Sequence, residues 1–326
     1  MLFIRLSANK PSLPGMGFVL IFLVIVALTA SVSAATAAKV KQVTFASPEE
    51  AVKALVEAVK NDDEKNLLAI FGPGSKWLIF SGDRVDDKKR RDGFLKSFEE
   101  MNKLEEKGTD KMILHVGKHD HPFAIPIVKR GAVWAFDTNA GKEEMLNRRI
   151  GRNELNAIDV VRQYVLAQRE YAAKDRDGDG VLEFAQRLTS PPGSKDGLYW
   201  KAKEGEEESP FGPMAAKAAK EGYKGKTKGD KLLPYHGYFF KILKSQGKNA
   251  NGGEYDYVVK GDMILGFAMV AYPAKYNSSG IMTFIVNQEG VVYQKDLGKR
   301  TAKVAEAMTK FDPDKTWIKV EEKPNP

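Results

Sequence analysis

At 326 residues the chain exceeds one ordinary domain, so two modules are expected. Hydrophobic residues make up 43% and charged residues 29%, and the net charge of +8 is spread through mixed Lys/Glu segments. That pattern gives cores with a solvated basic surface and speaks against an Arg/aromatic stripe for nucleic acid. The absence of cysteine excludes disulfides, thiolate metal sites, a cysteine nucleophile and a lipobox anchor.

The chain opens with Arg5 and Lys10, an apolar run from Phe18 to Ala30, and small residues from Ser31 to Ala38. This charged, hydrophobic, small-residue order predicts a signal peptide over residues 1–37, cut after Ala34 or Ala37. A periplasmic or secreted protein follows, and the expected membrane contact is through an uncleaved leader alone, because the apolar core is short for a span.

A first module is predicted over residues 43–147. Ser47-Pro48-Glu49-Glu50 is a helix start with a serine cap, proline in the first turn and a capping-box glutamate. Val52, Leu55, Val56 and Val59 then recur at helical spacing. A second short helix runs from Lys65 to Phe71, and Phe94, Phe98 and Met101 mark the apolar side of a third. Asp83 to Asp92 reads only as highly charged. Met112–Leu114, Ile125–Val128 and Ala132–Phe136 read as strands. Helices followed by a curved meander resemble the cone-shaped folds similar to nuclear transport factor 2, which commonly hold a pocket. His115, His119 and His121 share parity, but Gly117-Lys118 and Pro122 interrupt a strand and no fourth ligand is placed by spacing.

The stretch Arg148–Gly180 reads as a long helix behind a guanidinium cluster. Asn153 is a candidate cap, with Leu155, Ile158, Val161 and Val165 following as an apolar face. Arg148, Arg149 and Arg152, with Asp137 and Glu154, are candidates for an anion site at the helix N-terminus or for an ion-pair network between modules. Behind the helix, Asp175, Asp177, Asp179, the Val181 carbonyl and Glu183 have the front half of a calcium-loop pattern, whose twelfth position holds Gln186 rather than glutamate. Calcium is therefore the candidate cofactor, and an acidic turn closing the helix is the competing reading.

The second module is predicted over residues 148–319, with a tail at 320–326. Gly193 to Lys231 reads as a surface insertion carrying a short helix from Pro213 to Glu221. Strand-like runs follow at 237–243, 255–259, 264–272, 283–286 and 291–294, with Asn287–Gly290 as a hairpin turn and Thr301 to Phe311 as a closing helix. A long helix packed on an antiparallel meander resembles a pilin-like head. The class is α+β.

Several motifs carry a family resemblance: Phe136-Asp137-Thr138, Arg148-Arg149-Ile150-Gly151-Arg152-Asn153-Glu154, Asp196-Gly197-Leu198-Tyr199-Trp200, Tyr235-His236-Gly237-Tyr238, Gly266-Phe267-Ala268 and Asp296-Leu297-Gly298. In this order they resemble the exported bacterial proteins grouped as domain-of-unknown-function family 2950. That resemblance implies an envelope protein and assigns it no activity, cofactor or catalytic residue.

Ser209, Ser278 and Ser279 lack a nucleophile-elbow context, and no spacing ties His236 to a serine. The expectation is a non-catalytic exported binding or interaction module whose partner is an envelope protein or polymer. One alternative is a ligand-binding protein or enzyme using a pocket of the first module, with Asp83, Asp137 and the arginines as its polar groups. The other is a calcium-stabilised structural or adhesion module.

Overall fold

The computed structural model describes residues 41–176, 178–223 and 233–321. The expected signal peptide, Asp177, the end of the insertion and the last five residues of the tail lie outside the described residues. The described residues fall in one compact unit, and it carries two hydrophobic cores.

Helices α1 (Pro48–Lys60), α2 (Glu64–Phe71), α3 (Lys76–Ile79) and α4 (Arg84–Glu100) come first. Ser47 caps α1 by accepting from the Glu50 amide at 3.2 Å, and Glu50 returns the bond to the Ala46 amide. The serine cap was legible in the sequence; the Glu50 carboxylate accepts from the amide one residue before the cap rather than from the cap itself. Helix α4 starts at Arg84, well before the apolar residues that marked it in the sequence. Its first three turns are held by charge: Asp83 caps the Val85 and Asp86 amides, and Asp86, Asp87 and Lys88 pair with Arg90 and Asp92 at helical spacing.

Next come β1 (Asn102–Glu106), β2 (Lys111–Val116), β3 (His121–Pro122), β4 (Ile127–Arg130) and β5 (Val133–Phe136), an antiparallel sheet ordered β1-β2-β4-β5 with β3 also on β2. The strand at Asn102–Glu106 has little apolar character and was not expected; it forms because β2 offers it five register partners. One face of this sheet and the helices enclose the first core, including Leu55, Leu67, Phe71, Leu114, Ile127 and Phe136.

Helix α5 (Lys142–Tyr171) corrects the expected start at Asn153. It begins about three turns earlier, with Glu143 and Glu144 in its first turn, and Asn153 is a buried residue inside it. Gly151 and the run of arginines masked that continuity. Its front turns place Met145 against the first core, and Ala157, Val161, Tyr164, Val165 and Tyr171 enter the second.

The second core lies between α5 and the antiparallel sheet β17-β15-β14-β13-β8, built from β8 (Tyr238–Leu243), β13 (Ala268–Pro273), β14 (Met282–Asn287), β15 (Tyr293–Asp296) and β17 (Ile318–Lys319). The buried strand β13 is apolar on both faces, as a central strand must be. Short pieces complete the unit: β6 (Arg187–Thr189) with β7 (Gly197–Tyr199), helix α6 (Gly212–Lys220), β9 (Ser245–Gln246) with β10 (Tyr255–Asp256), β11 (Val258–Val259) with β12 (Asp262–Met263), helix α7 (Thr301–Ala307) and β16 (Lys310–Phe311) on β9. The closing helix stops at Ala307, because Phe311 leaves it to enter the core as a strand residue. The Asn287–Gly290 turn forms as expected, its Gly290 amide on the Asn287 carbonyl. Among the described residues no helix is long and apolar enough to cross a membrane.

Two glycines of α5 make opposite predictions. A methyl at Gly141, the cap, would run into the Ala124 carbonyl oxygen, so Gly141→Ala lowers stability by about 1–3 kcal/mol. A methyl at Gly151 meets nothing within 4 Å, so Gly151→Ala raises stability by about 0.5–1 kcal/mol. Urea unfolding of both variants checks the pair.

Candidate functional site

A cavity of ≈ 220 Å³ opens where α1, α2, α4 and the front of α5 meet. Its floor is the edge of the first core: Leu55, Val59, Leu67, Phe71, Phe94 and Phe123. Around it stand Arg90 and Arg91 of α4 and Arg148, Arg149 and Arg152 of α5, with Asp87 as the lining carboxylate. Arginines 148 and 152 are one helical turn apart, and 149 lies three residues before 152, so one face of α5 carries all three.

The five guanidiniums are not equivalent. Arg90 pairs with Asp86 and Asp87, Arg91 with Asp62 at 2.8 Å, and Arg148 with Glu144. Asp87 is further held by the Ser81 amide, which donates to both its oxygens at 3.2 and 3.0 Å. Arg149 is 2% exposed and donates to neutral acceptors: the Trp77 carbonyl at 2.8 Å, the Leu78 carbonyl at 3.2 Å and Ser278 Oγ at 3.5 Å. Its Nε has no hydrogen-bond partner among the described residues. Arg152 has no carboxylate partner among the described residues. Burial, with Arg90 and Arg152 nearby, brings Arg149 down to about 10. Arg152, exposed yet partly desolvated, is lowered with Arg90 and Arg148 nearby. Both remain cationic at neutral pH.

The other residues singled out from sequence lie elsewhere. Asp137 accepts from the Ala140 amide and does not line the cavity. Glu154 accepts from the Ile281 and Met282 amides at 2.9 and 3.0 Å, and Asn153 donates to the Ser279 carbonyl at 2.8 Å. The helix therefore ties to the second sheet through backbone groups, and toward the first module, where carboxylate–guanidinium pairs were expected, Arg149 also ends on backbone carbonyls of α3. The arginines also sit within the helix, where its amides are already bonded, so the expected anion site at a helix N-terminus does not form at them. Arg90, Arg91 and Asp87 were missed in the sequence; the Asp86/Arg90 and Lys88/Asp92 spacings were the available signal for helix there.

Asp83, expected as a pocket group, is a clamp instead. One oxygen caps α4, and the other accepts from Tyr223 Oη and the Gly237 amide, both at 2.8 Å. Burial pushes its carboxyl upward against four donors that favour the carboxylate. Beside it, Tyr223 Oη accepts from the His236 amide, and His236 Nε2 lies 2.9 Å from Glu221.

In the aspartate loop, Asp175 accepts from the Gly178 and Gly180 amides at 2.7 and 2.9 Å, and Asp179 from the Val181 amide at 2.8 Å. Glu183 accepts from the Met263 amide at 3.2 Å. Among the described residues no three His, Asp or Glu side chains gather as a metal set. His115 is held between Glu105 and Asp120, apart from the neighbouring rings of His119 and His121.

Residues 42–320 match the family described as proteins of unknown function, DUF2950. The chain belongs to that family. No curated protein matches it, and no solved structure matches it. Within this DUF2950 chain the cavity lies inside the matched span, as does the Asp83 clamp.

The clamp gives a pH prediction. Burial holds the His236 imidazole below its usual pKa, outweighing the opposing pull of Glu221. The unfolded chain thus binds the proton more readily, and stability falls as pH drops below about 6.5. In His236→Gln the loss of melting temperature between about pH 7 and pH 5 is smaller than in the parent.

Proposed function

We propose that this protein is a non-catalytic, exported binding protein of the cell envelope, and that its arginine-rimmed cavity takes a small organic anion with an apolar body. The observation that supports this reading most directly is the combination of an apolar floor with five guanidiniums around one cavity. Apolar walls with a few convergent polar groups are the usual make-up of a small-molecule site. A dry cavity of about 150 Å³ already takes a benzene-sized ring, so ≈ 220 Å³ accommodates one ring or a short branched chain.

Support for a non-catalytic role comes from the lining itself. Three of its arginines are paired with carboxylates, and its carboxylate Asp87 accepts from the Ser81 amide and Arg90. These groups are engaged in holding the helices together. The leader pattern supports export to the periplasm or beyond, with an envelope protein or polymer as the partner. Helices laid on the curved first sheet support the cone-like comparison with nuclear transport factor 2, and α5 on the second sheet supports the pilin-like one. A calcium-stabilised module has less support, since Asp175 and Asp179 are engaged by loop amides.

Titration of the full chain with benzoate and with benzyl alcohol tests the reading. Benzoate at about a hundredfold excess over its Kd raises the melting temperature by roughly 5 °C, the alcohol does not, and Arg152→Gln removes the effect. A chain that responds equally to both, or to neither, sinks it.

A further inference from the structure

Resting on the anion-binding reading above, we infer that the ligand head group is a dianion, a phosphate monoester, held jointly by Arg149 and Arg152. The argument is one of charge left over. Arg90, Arg91 and Arg148 each have a carboxylate partner supplied by the protein. Among the described residues Arg149 and Arg152 have none within ion-pair distance; Arg152 is exposed at the cavity mouth, while Arg149 is almost completely removed from water. Carbonyl and hydroxyl acceptors satisfy two of its nitrogens, but they carry no charge to offset the guanidinium. Asp86 and Asp87 act on it only from beyond ion-pair distance, and a buried cation whose hydrogen bonds all go to neutral acceptors is a costly arrangement that an anion in the cavity relieves.

The donors that remain fit the same species. Among the described residues Arg149 Nε is buried with no partner, in a side chain that lines the cavity, and the exposed Arg152 fork has no carboxylate partner. Guanidinium forks bind phosphate oxygens bidentately. A phosphate monoester brings about two negative charges at neutral pH and three acceptor oxygens, whereas a carboxylate brings one charge and two oxygens. Asp87 is the lining group that opposes an anion. Its oxygens are already occupied by the Ser81 amide and Arg90, which blunts its repulsion. Leu55, Leu67, Phe71 and Phe94 then receive the organic part of the ester.

The deciding comparison is phenyl phosphate against phenyl sulfate, which keeps the ring and the tetrahedral head but carries a single charge. Calorimetry on the full chain is expected to show phenyl phosphate binding at least about tenfold more tightly, with inorganic phosphate far weaker because it leaves the floor uncovered. Arg152→Gln should bring the phosphate-to-sulfate ratio close to one while leaving the melting temperature of the free protein unchanged, and Arg152→Lys should restore part of it. Equal affinity for the two phenyl esters would overturn the dianion assignment and leave the anion-binding reading standing. Inorganic phosphate binding as tightly as the phenyl ester would overturn the role of the apolar floor. No binding of any phenyl anion to a protein that melts normally would overturn both readings. Flotation with phosphatidylcholine vesicles, with and without phosphatidic acid, separates the sources. Capture by phosphatidic acid supports a lipid monoester, and phenyl phosphate binding without capture supports a soluble one.

Discussion

Everything in this fold depends on one helix being shared by two cores. Helix α5 runs 30 residues without interruption, its front packed on the first helices and its rear on the five-stranded sheet. A helix of that length is about 45 Å of stiff backbone, so the side chains along it sit at set distances from both layers. Three of them stop on the main chain of neighbouring elements. Arg149 reaches the end of α3, Asn153 the loop before β14, and Glu154 the first amides of β14. Because the partners are carbonyls and amides, these ties depend on backbone position rather than on which residues flank them. They also satisfy main-chain groups that would otherwise be buried without partners, a cost of about 1–3 kcal/mol each.

That arrangement creates the cavity's electrostatics as a by-product of holding the fold. To reach the α3 carbonyls, Arg149 must be buried, and its helical neighbours Arg148 and Arg152 are carried to the same face. Helix α4 presents Arg90 and Arg91 to the same space. Like charges gathered in this way repel, and the protein offsets most of the repulsion with Asp62, Asp86, Asp87 and Glu144. The exposed Arg148–Glu144 pair is worth little by itself; the main effect of the set is on where positive charge is left over. It is left at Arg149 and Arg152, beside an apolar floor.

The Asp83 clamp is the second fastening between the layers, and it works by division of labour within one carboxylate. One oxygen ends α4; the other holds Tyr223 and Gly237 from the distal half of the chain. Gly237 has a positive φ and lies against Asn153, so the turn that delivers its amide leaves no room for a side chain. The clamp therefore also positions the turn against α5, and the two fastenings reinforce one another.

By itself the sequence determined the α+β class, the serine cap of α1, the apolar face of α5 from Ile158 onward, the β14–β15 hairpin turn and the family to which the chain belongs. These are local signals, written as periodicity, cap chemistry and motif order over a few residues. It also placed Arg148, Arg149 and Arg152 as the residues to watch. It did not show α4 as a helix from Arg84, because that segment is held by charge pairs and a cap rather than an apolar stripe. Nor did it show that α5 begins at Lys142, since Gly151 and three arginines disguise a helix stabilised by packing on both sides. Only the tertiary structure decided which arginines keep a carboxylate and which do not, and that Asp83 is a clamp while Arg90 and Arg91 line the cavity. Those outcomes depend on groups up to 154 positions apart meeting in space, and local pattern carries no information about such meetings.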